Sequence, residues 1–138
     1  MTACKDSFVG AWDLVPELCQ YQDGLPPQSG TYDISLNGEV AEFRLSWIDH
    51  DARPHELEFA GPVDGSVRPV NGVPSNEVSF NRVDERTLDS SAYHDGREIT
   101  YERHRASDDG SLMVVVQVHR HPEGPSTRNF QVYRRRSA

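Results

Sequence analysis

Near its start the chain reads FVGAWDL at residues 8–14, an apolar segment whose alternation is typical of an extended strand. A second segment of this kind, NFQVYRR at residues 129–135, stands almost at the end of the chain. The sequence between them offers many short strands separated by Gly turns. A sheet of such strands can curl until its first and last strands meet, which predicts a β-barrel.

Glycine turns divide the chain into short segments. Asn or Asp precedes Gly at six places, and such pairs favour tight hairpin turns because Gly takes positive φ without cost. The pairs are Asp23-Gly24, Asn37-Gly38, Asp64-Gly65, Asn71-Gly72, Asp95-Gly96 and Asp109-Gly110. Strands are therefore predicted near residues 8–15, 30–36, 39–48, 55–61, 66–70, 76–83, 86–94, 97–106, 111–120 and 127–135. Residues 16–28 are predicted to form a loop across one end of the barrel.

Most of these segments alternate between apolar and polar residues, as expected for an antiparallel meander with one buried face. The exception is Leu112–Val116, which is apolar on both faces. Its outer face needs a cover, either loop 16–28 or a second subunit, because an exposed apolar strand invites association. Homodimerisation through this strand is therefore a prediction. The predicted fold class is an all-β, antiparallel up-and-down barrel of eight to ten strands, in a single domain spanning residues 1–138.

Composition and charge narrow the function classes. The 138 residues fit one domain, and 36% hydrophobic with 26% charged residues is typical of a globular protein. A formal net charge of −8 argues against nucleic acid or an anionic membrane as the main partner. No apolar run approaches the ~20 residues of a membrane helix, and the first residues lack the apolar core of a signal peptide, so a cytoplasmic location is expected. The two cysteines, Cys4 and Cys19, are expected to be free thiols.

Three stretches together resemble a known superfamily. They are FVGAWDL at 8–14, DGSLMVVV at 109–116 and FQVYRR at 130–135. The chain resembles the calycin superfamily, within it the bacterial lipocalin-like proteins of unknown function and, more distantly, the fatty-acid-binding proteins. The resemblance implies a lipocalin-like barrel that holds a small ligand. It also implies that Gly10 and Trp12 lie at one barrel end, with Arg134 or Arg135 over the indole ring in a contact worth about 1 kcal/mol.

The same resemblance bears on the ligand. Fatty-acid-binding proteins hold the ligand carboxylate with an Arg-x-Tyr in the last strand, where this chain has Gln131 and Tyr133. A neutral amide suits an alcohol, carbonyl or amide better than a carboxylate, because the charge-assisted bond is lost. The connection after the first strand is also too short for the usual two-helix lid. Both departures point to a partly hydrophobic, uncharged ligand.

The side chains expected around such a ligand come from several strands. Gln131 and Tyr133, with Arg103, would orient its polar groups. The expected wall residues are Trp47, Phe80, Tyr101 and Val116. Arg103 has two interpretations: inside the barrel with Tyr101 it would anchor a polar ligand, because a buried charge needs a partner. On the outer face it would form an ordinary cross-strand ion pair.

The histidines offer the remaining candidate chemistry. His119 and His121 have a spacing that a metal site could use, but Pro122 places them at a strand end, so surface histidines are favoured and no metal is predicted. His94 and His104 lie in neighbouring strands and are expected to be exposed. Inside the cavity, either one could act as a general base. The chain has no phosphate-binding Gly loop and no nucleophile elbow, so no cofactor is predicted.

Three functions stay open, and the fold alone does not decide among them. The first is binding of a small hydrophobic or amphipathic molecule in the barrel. The second is an isomerase, cyclase or lyase with an interior His or Tyr as acid–base and an Arg that stabilises negative charge. The third is a dimeric interaction module with a filled barrel. An interior His facing an Arg or a carboxylate would favour catalysis, whereas an apolar cavity with one polar end would favour binding.

Overall fold

The computed structural model of the protein describes residues 6–22, 24–70 and 73–136, without the side chains of residues 73–75. In these ranges the chain forms eleven strands, one 3-10 turn at Pro16–Leu18 and no α-helix, so no helix here is long and apolar enough to cross a membrane. The strands are β1 (Gly10–Leu14), β2 (Gln20–Tyr21), β3 (Ser29–Asn37), β4 (Val40–Ile48), β5 (Pro54–Pro62), β6 (Arg68–Val70), β7 (Val73–Asp84), β8 (Thr87–His94), β9 (Arg97–Ala106), β10 (Leu112–His119) and β11 (Thr127–Arg135).

The strands form one antiparallel sheet that curls into a nearly closed barrel. The order around it is β5-β4-β3-β1-β11-β10-β9-β8-β7-β6, and β2 pairs with β11 beyond the end of β1. The first and last long strands meet as predicted, with Trp12 opposite Arg135 and Leu14 opposite Tyr133. The predicted all-β barrel is therefore confirmed, and most spatial neighbours are also neighbours in the chain, as in an up-and-down meander.

The Asp-Gly pair between β8 and β9 shows why the hairpin turns could be predicted from the sequence. Asp95 has a φ of 50° and Gly96 a φ of 77°. Two successive residues with positive φ give a turn whose twist matches that of the two strands it joins. Three members of the predicted turn pairs lie outside the described residues: Asp23, Asn71 and Gly72.

The N-terminal segment seals one end of the barrel, which we call the closed end. The ring of Phe8 is fully buried, and the carbonyl oxygen of this residue accepts a hydrogen bond from Nε1 of Trp12 at 2.9 Å. The guanidinium carbon of Arg135 lies 4.2 Å from the centre of the Trp12 ring. The same guanidinium donates to the backbone oxygens of Val9 (2.8 Å) and Gly110 (2.7 Å). One side chain thus ties the first strand, a distant turn and the last strand together.

Of the two arginines that the resemblance left open, Arg135 packs on Trp12, and Arg134 is exposed. Gly10 lies beneath Arg135 with a φ of +143°, and a Cβ there would collide with Nη1 of the arginine. A glycine is needed at this position both for the backbone conformation and for the space. The closure predicted from Gly10 and Trp12 is present, with Arg135 as the cation.

The interior differs between the two halves of the barrel. Next to the closed end it is filled by fully buried side chains: Phe8, Trp12, Leu88, Met113 and Val115. Toward the opposite end, which we call the open end, the space widens into a cavity. A barrel filled throughout by its own side chains, as the third functional hypothesis requires, does not match this interior.

The barrel has a seam, because its outermost strands β5 and β6 share no backbone hydrogen bond in the described residues. Near the closed end, the segment between them is held to β7, where the N–H of Gly65 donates to the oxygen of Phe80 at 2.8 Å. The ring of Phe80 also packs on the backbone of Gly61, where a Cβ would lie only 2.9 Å from Cε2 of the ring. Gly61 therefore allows an aromatic ring to fill the seam.

Candidate functional site

The barrel holds a cavity of about 440 Å³ that widens toward the open end. One side of it, from β4, β5 and β7, is apolar. Its side chains include Leu45, Trp47, Leu57, Phe59, Val78 and Phe80. Leu25 and Pro27 from the loop after β2 reach over the opening, so the predicted loop across one barrel end is present. The cavity has the size and the largely apolar lining of small-molecule sites.

Four of the seven predicted ligand-binding residues line this cavity: Trp47, Phe80, Gln131 and Tyr133. Trp47 and Phe80 belong to the apolar side. Gln131 and Tyr133 are two residues apart on β11, so both face inward from the same strand. The structure thus brings the predicted polar pair and two of the predicted wall residues around one space.

The other three predicted residues, Tyr101, Arg103 and Val116, lie on the outer face, so their predicted interior position was wrong. Arg103 donates two hydrogen bonds to the carboxylate of Asp89 on β8, at 2.8 and 2.9 Å. This is the cross-strand ion pair of the alternative interpretation. Because successive strand residues point to opposite faces, the residue between Tyr101 and Arg103 points into the cavity, and that residue is Glu102.

A buried Tyr–His pair lies inside the barrel. Oη of Tyr32, which lines the cavity, is 2.8 Å from Nε2 of the fully buried His104. Nδ1 of His104 is 3.1 Å from the carbonyl oxygen of Leu88, which can only accept, so Nδ1 carries the hydrogen and Tyr32 donates to Nε2. Burial lowers the pKa of His104 and raises the pKa of Tyr32 well above its usual value. Both groups are therefore neutral near neutral pH.

Glu102 faces the cavity from β9, two residues before His104. Its Oε2 accepts a hydrogen bond from Nε2 of Gln117 at 2.5 Å, and its Oε1 lies 3.7 Å from Nε2 of His104. That nitrogen carries no hydrogen in the tautomer just assigned, so the contact is not an ion pair. Among the described residues, no Arg or Lys lies within ion-pair distance of Glu102, and none lines the cavity.

Two glutamines extend this polar surface along β10 and β11. Oε1 of Gln117 accepts from Nε2 of His119 at 2.9 Å. Oε1 of Gln131 accepts from the hydroxyl of Tyr133 at 3.2 Å, and Nε2 of Gln131 donates to the hydroxyl oxygen of Tyr21 at 2.5 Å. Six of the polar groups that face the cavity on this side are called the polar wall: Tyr21, Tyr32, Glu102, Gln117, Gln131 and Tyr133.

The charge of Glu102 acts on the phenols of the polar wall. Burial is the main cause that raises the pKa of Tyr133 far above its usual value, and the Glu102 carboxylate adds to it. The same two causes, in the same order, raise the pKa of Tyr32. Burial also raises the pKa of Tyr21, with the Gln131 hydrogen bond opposing it. The three phenols keep their protons, so Glu102 is the charged group of the polar wall.

The rim of the cavity carries a second carboxylate. The rings of Trp47 and His55 stack there, with centres 5.0 Å apart and planes 12° apart. Nε2 of His55 lies 2.8 Å from Oδ2 of Asp49. This hydrogen bond and the backbone N–H of Arg53 lower the pKa of Asp49 to about 2. Asp49 is therefore negative throughout the physiological pH range.

The other groups considered from the sequence form no reactive centre in the described part of the chain. His94 and His121 are exposed and hydrogen-bond to neighbouring polar side chains, while His119 lines the cavity. No three His, Cys, Asp or Glu side chains come together where they could hold a metal ion. Burial raises the pKa of the free thiol of Cys19, which makes it a poor nucleophile. Cys4 lies outside the described residues.

The sequence predicts an exposed His104 near His94, and the structure shows instead that His104 is buried against Tyr32. The available signal was the alternation of β9. The inner face of that strand consists of Thr100, Glu102, His104 and Ala106. Three of these four residues are polar, so hydrophobicity alone could not distinguish this face from the outer one.

Comparisons by sequence find no matching protein-family model and no matching curated protein. Solved structures match over nearly the whole chain. Wild-type fluorescent protein UnaG is 18% identical, with a TM-score of 0.62 over 94% of this chain and 97% of UnaG. As-p18, an extracellular fatty acid binding protein, is 12% identical, with a TM-score of 0.59 over 98% and 100%. The zebrafish ileal bile acid-binding protein complexed with cholic acid is 12% identical, with a TM-score of 0.55 over 94% and 99%. These likenesses show the barrel fold alone, and the resemblance to the calycin superfamily and its bacterial lipocalin-like proteins stays a prediction.

Proposed function

We propose that the protein binds a small, largely apolar molecule without negative charge in its cavity. The observation that carries the proposal is a space of about 440 Å³ that is apolar on one side and polar on the other. Apolar ligand surface gains free energy when it leaves water, and a few polar groups fix the orientation of the ligand. The similar barrels of As-p18 and the zebrafish protein are named for binding fatty acids and bile acids, which supports a binding role for this one.

The preference against anions comes from the polar wall. A ligand carboxylate placed there would meet Glu102, and the cavity lining of the described residues supplies no Arg or Lys to compensate the repulsion. Gln131 offers only a neutral amide, and that amide is already bonded to Tyr21 and Tyr133. We therefore expect a ligand class different from fatty acids.

An acid–base enzyme is the second candidate, because Tyr32, His104 and Glu102 lie close together inside the barrel. An interior histidine near a carboxylate is the arrangement that would favour catalysis. However, both ring nitrogens of His104 are already hydrogen-bonded, and the ring is fully buried. The pKa of His104 is lowered and that of Tyr32 is raised, so neither group is poised to exchange a proton near neutral pH. The arrangement favours binding.

The test uses Nile red, an uncharged dye that fluoresces in apolar surroundings. Ala92 lines the cavity, whereas Ala60 is an exposed residue of β5. We expect the wild type and Ala60→Phe to bind one dye per chain, and Ala92→Phe to bind it roughly tenfold more weakly, because the added ring occupies the ligand's space. Equal dye affinity in all three proteins would place the dye outside the cavity and contradict the proposal.

A further inference from the structure

We propose that the polar wall binds a protonated nitrogen: the ligand carries an ammonium or amidinium group on an apolar body, and Glu102 is its counter-ion. This inference rests on the proposed binding function and narrows its ligand class to organic cations. Two independent observations carry it. One is a carboxylate inside the barrel without a cation, and the other is the direction of the hydrogen bonds around it.

Glu102 differs from the carboxylates next to it in having no Arg or Lys partner among the residues that the structure describes. Asp89 pairs with Arg103, and Glu98 pairs with Arg120, whose Nε lies 2.6 Å from Oε1. The Glu102 side chain is 23% exposed and lines the cavity, and its hydrogen-bond donor is a neutral amide. An ionised carboxylate that has lost part of its hydration is stabilised by an opposite charge much more than by an amide. The cavity therefore offers a ligand cation a site that the protein leaves unfilled.

The hydrogen bonds of two phenols of the polar wall direct their hydroxyl hydrogens to protein acceptors and not to a ligand. The hydroxyl of Tyr32 donates to His104, and the hydroxyl of Tyr133 donates to Gln131. These two phenols therefore offer a ligand only their oxygen lone pairs. With Oε1 of Glu102 they present three acceptors on one side of the cavity. An ammonium or amidinium group, which has several N–H donors and no acceptor, is the complement of such a surface.

Tyr21 is the phenol of the polar wall that keeps a free hydroxyl donor. The oxygen of Tyr21 accepts from Gln131, so its own hydrogen remains available to a ligand. Tyr21 belongs to the short strand β2, which precedes the loop over the opening. A ligand with its cation at Glu102 could thus also carry a hydroxyl or carbonyl oxygen nearer the opening. This position is compatible with an amino alcohol or an amino ketone.

Charges farther from Glu102 also favour a cationic ligand. The chain carries a formal net charge of −8, and Asp49 is negative at the rim of the cavity. A field of this sign raises the local concentration of cations at the opening and lowers that of anions. The ligand would then meet a negative rim first and a negative polar wall second.

The test compares three probes that share one alkyl chain: octylamine, octanol and octanoate. Each is titrated into the wild-type protein by calorimetry and by displacement of Nile red. We expect octylamine to bind roughly tenfold or more tightly than octanol, because a hydrogen bond between charged groups is stronger than one between neutral groups. Octanoate should bind more weakly than octanol. Octanoate binding as tightly as octylamine would overturn the inference.

Two variants separate Glu102 from the overall charge. Glu102→Gln keeps the shape of the side chain and removes its charge, while Glu58→Gln removes the same charge from an exposed residue of β5. We expect Glu102→Gln to abolish the preference for octylamine over octanol and Glu58→Gln to retain it. A preference that survives in Glu102→Gln would overturn the inference.

The design distinguishes two kinds of failure. Binding of Nile red and octanol without a preference for the amine would leave the proposed binding function intact and remove the organic cation as its ligand class. Absence of binding by every probe, Nile red included, would overturn both. If Glu102→Gln does not fold, as judged by circular dichroism, the order of the three probes in the wild type still decides the question.

Discussion

The bond between Tyr32 and His104 joins two strands, β3 and β9, that share no backbone pairing. Each side chain alone would leave an unsatisfied polar group in the interior, and together they satisfy each other. His104 is held in one tautomer by the carbonyl oxygen of Leu88, so the direction of the Tyr32 hydroxyl is fixed as well. A single buried imidazole therefore sets which atoms of Tyr32 can meet a ligand.

Burial of His104 predicts a dependence of stability on pH. Its pKa is lowered mainly by loss of hydration, which the charges of Glu102 and Asp89 oppose only in part. Below about pH 6.5 the unfolded chain binds a proton at this residue and the folded chain does not, so the free energy of unfolding falls by up to about 1.4 kcal/mol per pH unit until the folded pKa is reached. Above the unfolded pKa this contribution to stability is complete. Urea unfolding from neutral to mildly acid pH measures it.

The control is His104→Gln, which retains a polar side chain without titrating. We expect this variant to be less stable at neutral pH, and to lose less stability than the wild type on acidification. The comparison concerns the slopes of stability against pH, since every other ionisable group is the same in both proteins. Equal slopes would mean that His104 takes up a proton in the folded protein.

Individual site residues were predictable to an unequal degree. Gln131 and Tyr133 were predicted from the resemblance of the last strand to the Arg-x-Tyr strand of fatty-acid-binding proteins, and both line the cavity. Tyr101 and Arg103 were misplaced because both faces of their strand are polar, so the sequence does not define which face is buried. Which face of β9 points into the barrel is decided by its pairing with β8 and β10. Such pairing depends on residues distant in the chain, so the sequence of β9 alone does not predict it.

At the scale of elements, the seam depends on the contact between the Phe80 ring and Gly61. Gly61→Ala would put a Cβ 2.9 to 3.0 Å from two ring carbons. The ring must then move toward the cavity, and we expect a loss of about 1–3 kcal/mol in the free energy of unfolding, as for other overpacked cores. Nile red affinity should fall as well, because Phe80 lines the binding space.

Gly124→Ala is the matched control, since a Cβ at that position has no neighbour within 4 Å. Its stability and dye affinity should stay near those of the wild type, within about 0.5 kcal/mol. If Gly61→Ala matched this control in both measurements, Phe80 would not be what fills the seam.

The strands themselves were largely predictable, because Gly turns and alternation are local signals. All ten predicted strands appear, with limits shifted by a few residues at most. The sequence predicts mainly a loop at residues 16–28, with room for the turn of helix that the 3-10 turn provides, but it did not predict β2, a two-residue strand. Their conformation follows from contact with β11, where Gln20 pairs with Phe130 and the N–H of Val15 donates to Val132. Tertiary contacts of this kind leave no periodic pattern in the sequence.

At the scale of the molecule, the outer face of β10 and β11 is the surface through which the predicted homodimer would form. Val114 and Val116 are half-buried there and Phe130 is 39% exposed. Exposed arginines flank this apolar strip, Arg103 with its partner Asp89 on one side and Arg134 on the other. Two copies that meet there carry a formal net charge of −8 each and therefore repel one another. We therefore expect any association through this face to strengthen with salt. The Debye length falls from about 10 Å at 0.1 M to about 3 Å at 1 M, so the repulsion between the two copies is screened.

Sedimentation at low and high salt checks this expectation, with Val116→Glu as the variant that should remain a monomer. A single-chain mass for the wild type under both conditions would contradict dimerisation through β10. The cavity lies on the inner face of the same strands, so ligand binding should be alike in monomer and dimer.

The seam also gives the sheet a free edge, and a free edge can recruit strands from other molecules into an aggregate. Strand β5 is protected against this by its own sequence. Pro54 and Pro62 stand at its two ends and have no N–H to donate, while Glu56 and Glu58 are exposed along it. A second chain approaching this edge would meet proline at both ends and, between them, Glu56 and the ion pair of Glu58 with Arg44. The incomplete closure that leaves the barrel a seam is thus accompanied by residues that keep it from becoming a template for fibrils.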